Sequence, residues 1–356
     1  MNADSGKNIA RINDAAMPVV SVIVVTYNQE GTLGRTIDSI LGQETGFAVE
    51  VLVSDDCSTD GTERVGREYA ERFPGVVKYH RNERNLGVQG NYFGAMRRAR
   101  GKYLADCAGD DYWIDPLKLA KEVKVLDENP DVTIVHTAWK NVKENSLSDA
   151  REKQEGIEDG NSDAKAEVGD CKIGAKDAKG ATRISDIEVK FEAGKRMGER
   201  LIMTSGNPQL HLCTALYQRA TALEILEQEE ELMLNPEYRC EDLQLSVELA
   251  YRGTVAYLAD ETLAYTVGHE SISSTEDYAK SFDFYFGTLK LRIELARKHG
   301  LDGRVGEFRE LAHYVTSRAF KASSRERMKA IVELMDRYGI PPTPIGRIYR
   351  IMRGFM

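Results

Sequence analysis

Up to about residue 140, β-branched apolar runs alternate with stretches of helical period. Val19-Val-Ser-Val-Ile-Val-Val25 is apolar almost throughout, as expected of a strand buried on both faces of a parallel sheet. Leu33, Ile37, Ile40 and Leu41 then fall on one helical stripe. Val49-Glu-Val-Leu-Val53 reads as a second strand, followed by a helix to about Phe73, and Val76 to His80 as a third. A loop over 82–90 leads into a helix ending near Arg100, and Tyr103 to Ala105 is a short fourth strand. A helix begins at Pro116, with Leu117, Ala120, Val123 and Leu126 on one face, and Val132-Thr-Ile-Val-His136 is a fifth strand. Strands alternating with helices predict an α/β chain with a doubly wound, mostly parallel sheet and right-handed crossovers.

The pattern breaks from Asn141 to about Lys195, where Lys, Glu, Asp, Gly and Ser dominate. Such a composition buries too little apolar surface to order itself. It reads as a surface insertion or as a lid that orders over a ligand. Leu212-Cys-Thr-Ala-Leu-Tyr217 resumes strand character, and helices are expected from Arg219 to Gln228 and from Glu241 to Tyr251. Thr254 to Leu258 and Thr262 to Tyr265 read as two short strands. From Asp277 the chain is helical, with Phe282, Tyr285, Phe286, Leu289 and Ile293 on one stripe, until Pro341, Pro342 and Pro344 interrupt it. The units expected are a flexible N-terminus (1–17), a first α/β half (18–140), the polar insertion (141–200), a second half (201–274), a helical extension (275–340) and a tail (341–356).

Composition narrows the function classes. The net charge of −9 over 356 residues argues against a nucleic-acid binder, which would carry a basic stripe. Residues 1–17 are polar and mixed, unlike a secretory leader, and no apolar run reaches membrane-spanning length. Five scattered cysteines without a metal-binding spacing read as reduced thiols, so a cytoplasmic protein is expected. The tail is the exception. In 345–356, Arg347, Arg350 and Arg353 interleave with Ile348, Ile351 and Phe355, without an acid. Such a segment could lie on an anionic bilayer at the membrane's inner face, or dock on its own protein.

The candidate chemistry lies at strand ends. Asp55-Asp56 follows the second strand and Asp110-Asp111 the fourth, so both pairs fall on the sheet edge where α/β proteins collect ligands. Adjacent carboxylates repel unless a cation intervenes, and Mg²⁺ or Mn²⁺ prefers such oxygen donors together with substrate phosphates. Tyr27 offers a flat face for a base. The first crossover lacks G-x-G-x-x-G, against a Rossmann dinucleotide site. Ser58-Thr-Asp-Gly-Thr62 imitates a phosphatase motif, but Ser58 stands where the nucleophile would be and the segment follows the wrong strand.

Together, Val-Ser-Val-Ile-Val-Val-Thr-Tyr-Asn28, Val-Ser-Asp-Asp56-Cys-Ser-Thr-Asp-Gly-Thr62, Asn85-Leu-Gly87 and Ala-Gly-Asp110-Asp111-Tyr-Trp113 with Asp115-Pro116 resemble family 2 glycosyltransferases, inverting enzymes of GT-A fold. The resemblance implies a sugar-nucleotide donor, UDP-linked by preference, and a carbohydrate or lipid-linked acceptor. It implies nucleotide contacts from Thr26, Tyr27, Asn28, Glu30, Asp55, Asp56, Asn85, Gly87 and Asp110. Asp111 and Asp110 would hold Mg²⁺ or Mn²⁺, although Ala108 replaces the family's first Asp and Asp106 is offset by two residues. Asp242, with Glu241 as fallback, matches the family's general base at a helix start. Tyr265-Thr-Val-Gly-His269 resembles an element closing over the diphosphate, in which His269 would reach the metal. A non-catalytic sugar-binding relative and a sugar-nucleotide nucleotidyltransferase are the alternatives.

Overall fold

A computed structural model describes residues 17–143, 187–204, 210–268 and 275–353, with side chains to residue 349. The first half winds β1 (Val20–Thr26), α1 (Leu33–Leu41), β2 (Val49–Asp55), α2 (Thr62–Arg72), β3 (Val77–Arg81), α3 (Gly87–Arg98), β4 (Tyr103–Asp106), β5 (Tyr112–Trp113), α4 (Lys118–Glu128) and β6 (Val132–Lys143). The second half adds β7 (Val189–Ala193), α5 (Gly194–Met203), β8 (Ala215–Gln218), α6 (Arg219–Gln228), α7 (Glu230–Met233), α8 (Glu241–Tyr251) and β9 (Thr254–Val267). Helices α9 (Tyr278–Lys298), α10 (Arg309–Lys321), α11 (Arg325–Arg337) and α12 (Pro344–Arg353) complete the chain.

The strands form one sheet in the order β3-β2-β1-β4-β8-β6-β9-β5, with β7 also on β9. Its two faces follow from alternation along the strands. Val20, Val22 and Val24 of β1 join α1, α2 and α4 in one core, whereas Ile23 joins α3, α5, α6, α8 and the C-terminal helices in the other. Every residue of β2 is buried, including Glu50, whose carboxylate accepts from Ser21 Oγ, Lys78 Nζ and the Arg100 N–H.

The sheet is parallel from β3 through β4 and again between β6 and β9. β8 enters antiparallel between β4 and β6. The two short strands expected over 254–265 are a single strand, β9, whose pairing with β6 is irregular around Ala138. Along its other edge β9 holds β7 through Thr254–Leu258 and β5 through Leu263–Ala264. The polar stretch 141–200 therefore contributes ordered structure at its end. Val189-Lys-Phe-Glu-Ala193 adds a strand, and α5 packs on α8. Gly194 permits that packing, since a Cβ there would lie 1.8 Å from the Ala250 carbonyl oxygen. In the tail, Ile345 and Tyr349 pack on the helical core while Ile348 is exposed.

Candidate active site

The register brings Thr26 level with Asp55, and the Gly109 N–H donates to the Val25 carbonyl, so three chain segments leave the sheet together at its C-terminal edge. Asn28 and Cys57, just beyond β1 and β2, have φ of 54° and 63°, a turn that asparagine tolerates better than most residues. Hydrogen bonds clasp the two loops. Asn28 N–H donates to Ser58 Oγ at 2.9 Å, Thr59 N–H to Asn28 Oδ1 at 2.8 Å, and Gly61 N–H to Glu30 Oε2 at 2.8 Å. The Asn28 and Glu30 side chains thus shape the loops themselves.

Asp55 departs from the expected ligand contact. It is wholly buried, and its carboxylate accepts from Ser58 N–H and Oγ and from the Tyr79 hydroxyl at 2.6 Å. It is a scaffold beneath the loop. The Asp56 carboxylate accepts from Asn82 Nδ2, Leu86 N–H and Gly87 N–H, all within 2.9 Å, and so binds the loop before α3 to the end of β2. Gly87 has φ of 75°, and Asn85 Oδ1 also accepts its N–H. Tyr27 is 46% exposed beside this loop, leaving a ring face open.

The acid pair is held from both sides. Thr32 Oγ1 donates to the Gly109 carbonyl, Arg35 Nη2 to that of Asp110, and Thr36 Oγ1 to that of Asp111. From β9, Thr266 Oγ1 donates to the Asp110 carbonyl and Thr266 N–H to Asp111 Oδ1 at 2.9 Å. The Arg35 guanidinium stacks on Tyr112, 4.3 Å from its ring centre. Asp111 is 1% exposed, and its Oδ2 is buried without a hydrogen bond. Burial, then the Asp110 charge, raise its pKa to about 8, which outweighs the Thr266 N–H, the nearby Cys213 thiol and the Arg35 charge. Asp106 is also buried and pushed up to about 7 by desolvation. Neither of its oxygens makes a hydrogen bond of good geometry, since the nearby Tyr92 and Tyr217 hydroxyls bond each other at 2.5 Å.

The later acids stand at the start of α8. Burial and the neighbouring Asp242 raise Glu241 to about 8. Asp242 Oδ1 accepts the Leu243 N–H. Tyr265, on β9, links them to the acid pair. Its hydroxyl is raised to about 12 by burial first, and then by charges that include Asp111, Asp110 and Asp242. Tyr265 thus feels the charge of carboxylates from both halves of the chain. His211 packs 4.7 Å from the Tyr265 ring and 4.7 Å from Trp139. Burial lowers its pKa, and the Asp242 charge partly restores it.

His269 lies outside the described residues, as does the rest of the element following Gly268. Sequence reading missed Arg35, His211, Trp139 and the Thr266 clasp. Each is an isolated residue made relevant by pairing between distant strands. Among the described residues, no three His, Cys, Asp or Glu side chains converge to hold a metal alone. The unbonded, buried Asp111 Oδ2 beside Asp110 nonetheless suits a hard cation completed by substrate phosphates.

Residues 21–177 match the family profile described as glycosyl transferase family 2. An uncharacterized protein of Mycobacterium tuberculosis is 41% identical over 131 residues, 37% of this chain and 38% of that one. A Bacillus subtilis chain assigned as the teichuronic acid biosynthesis glycosyltransferase TuaG is 34% identical over 111 residues, 31% of this chain and 43% of its own. The matches thus span less than half the length of these curated relatives. S. aureus TarS 1-349 in complex with UDP-GlcNAc has a TM-score of 0.54 at 19% identity, over 90% of this chain and 80% of that one. The mannosyltransferase PcManGT from Pyrobaculum calidifontis, in complex with GDP-Man and Mn²⁺, has a TM-score of 0.50 at 16% identity, over 96% and 83%. At such identities the likeness concerns the fold, which is GT-A. The profile match covers residues 21–177, less than half of the chain, and over that stretch the chain is similar to glycosyl transferase family 2.

Proposed function

We propose that the protein transfers a sugar, with inversion, from a nucleotide diphosphate to an acceptor hydroxyl in cell-surface polysaccharide synthesis. The acid pair at the C-terminal sheet edge, with Asp111 buried and one of its oxygens left without a hydrogen bond of good geometry, carries this reading. Tyr27, Thr26 and Asp56 would receive the base, with Asn85 and Gly87 shaping the pocket's far wall. Asp111 and Asp110 would hold Mg²⁺ or Mn²⁺. Such an ion supplies Lewis-acid stabilisation of the charge that develops on the departing diphosphate. A UDP-sugar is the favoured donor; the TarS complex supports UDP, whereas the PcManGT complex keeps GDP a candidate. The teichuronic acid relative supports a surface polysaccharide as the product.

In this reading Asp242 takes the proton of the acceptor hydroxyl as that oxygen attacks the anomeric carbon. The bond to the diphosphate oxygen breaks on the opposite face, and one displacement inverts the centre. Burial and the adjacent Asp242 charge disfavour the charged form of Glu241, which leaves the base role to its neighbour. Arg35 holds the Asp110 carbonyl, and its charge offsets part of the repulsion between the two adjacent acids.

No helix among the described residues is long and apolar enough to cross a membrane. A peripheral position at the cytoplasmic face would rest on the arginines of 345–356. Unchanged co-sedimentation with anionic liposomes after truncation at Pro344 would remove it.

Asp242→Asn tests the base assignment. It should lower transfer by about 10²–10⁴-fold while nucleotide affinity stays within twofold. Wild-type transfer by that variant would overturn the assignment.

A further inference from the structure

A cleft of about 730 Å³ opens on the sheet beside α5, away from the acid pair. Its lining includes His136, Lys190, Phe191, Arg196, Arg200 and Tyr257, from β6, β7, α5 and β9. The volume lies within the usual range for small-molecule sites. Three cations meet a single carboxylate here, Glu192, which accepts from Arg200 at 2.6 and 3.0 Å and lies 3.5 Å from Arg196. The surplus is positive in a chain of net charge −9.

Two further observations mark a built site. His136 is 5% exposed, and its Nδ1 is buried with no hydrogen bond of good geometry, the Thr137 backbone offering only a weak electrostatic partner. The walls are also aromatic. Phe191 is 52% exposed on its strand, and the His136 and Tyr257 rings lie 4.9 Å apart. Flat apolar faces suit the C–H face of a pyranose, and guanidinium forks suit carboxylate or phosphate oxygens.

Trp139 connects the cleft to the chemistry. It lines the cleft, and its ring lies 4.7 Å from that of His211, which in turn packs on Tyr265. A row of three rings thus runs from the cleft to Tyr265, which neighbours Thr266, the residue that holds the acid pair.

We propose that this cleft is an acceptor subsite for an acidic sugar unit, one bearing a carboxylate or a phosphate, held by Lys190 and Arg196 and stacked on the aromatic walls. The assignment to an acceptor rests on the transferase reading. The preference for a sugar oxyanion rests on the cleft alone.

The test is calorimetric titration of the full chain with glucuronate, glucose 6-phosphate and neutral glucose, repeated on the variant Lys190→Ala/Arg196→Ala. Both substituted side chains belong to exposed positions, so the variant should keep the wild-type melting temperature. The expected result is binding of at least one charged sugar at least tenfold tighter than glucose, with that preference abolished in the variant. Preference for glucuronate identifies a carboxylate source, and preference for glucose 6-phosphate a phosphate source. Equal binding of glucose, no binding of any of the three, or an unchanged preference in the variant would overturn the proposal. UDP and GDP titrations with Mn²⁺ on the same samples keep the two readings apart. No nucleotide binding defeats the transferase reading, and with it the acceptor label, whereas nucleotide binding without any charged-sugar preference defeats only the subsite.

Discussion

At the scale of single residues, the site depends on backbone placement as much as on carboxylates. Gly109 shows why. A Cβ there would fall 2.4 Å from Gln29 Oε1 and 2.9 Å from Thr26 Oγ1. Gly109→Ala should therefore displace the loop that carries Asp110, cost about 1–3 kcal/mol of stability and weaken nucleotide binding. Denaturant unfolding and titration together check this; unaltered affinity and midpoint would show that the loop gives way freely. The acids Asp56, Asp110, Asp111 and Asp242 stood out in the sequence because carboxylates at strand ends and helix starts are conspicuous. Asp55 was equally conspicuous, but the Tyr79 hydroxyl and the Ser58 turn that occupy it come from other segments. Adjacent acids can thus look alike in sequence and part company in the fold.

At the scale of elements, α8 must be fixed to hold Glu241 and Asp242 at its start. Glu248 anchors its far turn. Its carboxylate is 1% exposed and is met by His299, Lys298 and Arg252. Burial alone would raise its pKa, but those hydrogen bonds and charges prevail and lower it from 4.5 to about 2. A carboxylate depressed by folding stabilises the protein above its unfolded pKa and loses that contribution as pH falls from about 4.5 to about 2. The depression corresponds to about 3 kcal/mol. Glu248→Gln should lose roughly that amount at pH 7 and flatten the acid limb of the stability curve. Thermal melts between pH 2 and 7 test it; a variant as stable as wild type at pH 7 would refute the anchor. Gly194→Ala should destabilise strongly, because its Cβ collides with the backbone carbonyls of Ala250 and Gly253 and separates α5 from α8. A melting temperature within 1 °C or so of wild type would contradict that close approach.

These elements differ in how legible they were. β1 and β2 are rich in β-branched residues, and α9 follows Asp277, whose side chain caps the helix as its position suggests. β7 was hidden because Val189–Ala193 is a largely exposed strand with charged residues on it, and its partner lies more than fifty residues ahead. The continuity of β9 was hidden by Asp260 and Glu261, which sit at a pairing irregularity rather than in a turn.

At the scale of the whole molecule, the fold explains how one cleft gathers groups from distant positions. The parallel first half delivers two loops and the acid pair to one edge. The antiparallel β5–β9 pairing then brings Thr266 to Asp111, with Tyr265 next to it along β9. Sequence alternation revealed the first part, since its strands and helices follow one another as regular βα units in a parallel sheet. It could not reveal the second, because β8 inserts between β4 and β6 from more than seventy residues away. The most direct measurement is calorimetric titration of UDP and GDP, each with Mn²⁺, into the wild type, Asp111→Asn and Asp242→Asn. Binding of at least one nucleotide that is lost in Asp111→Asn and retained in Asp242→Asn is predicted. Equal affinity in Asp111→Asn and wild type, or no binding of either nucleotide to the wild type, would contradict a cation and diphosphate shared at the acid pair.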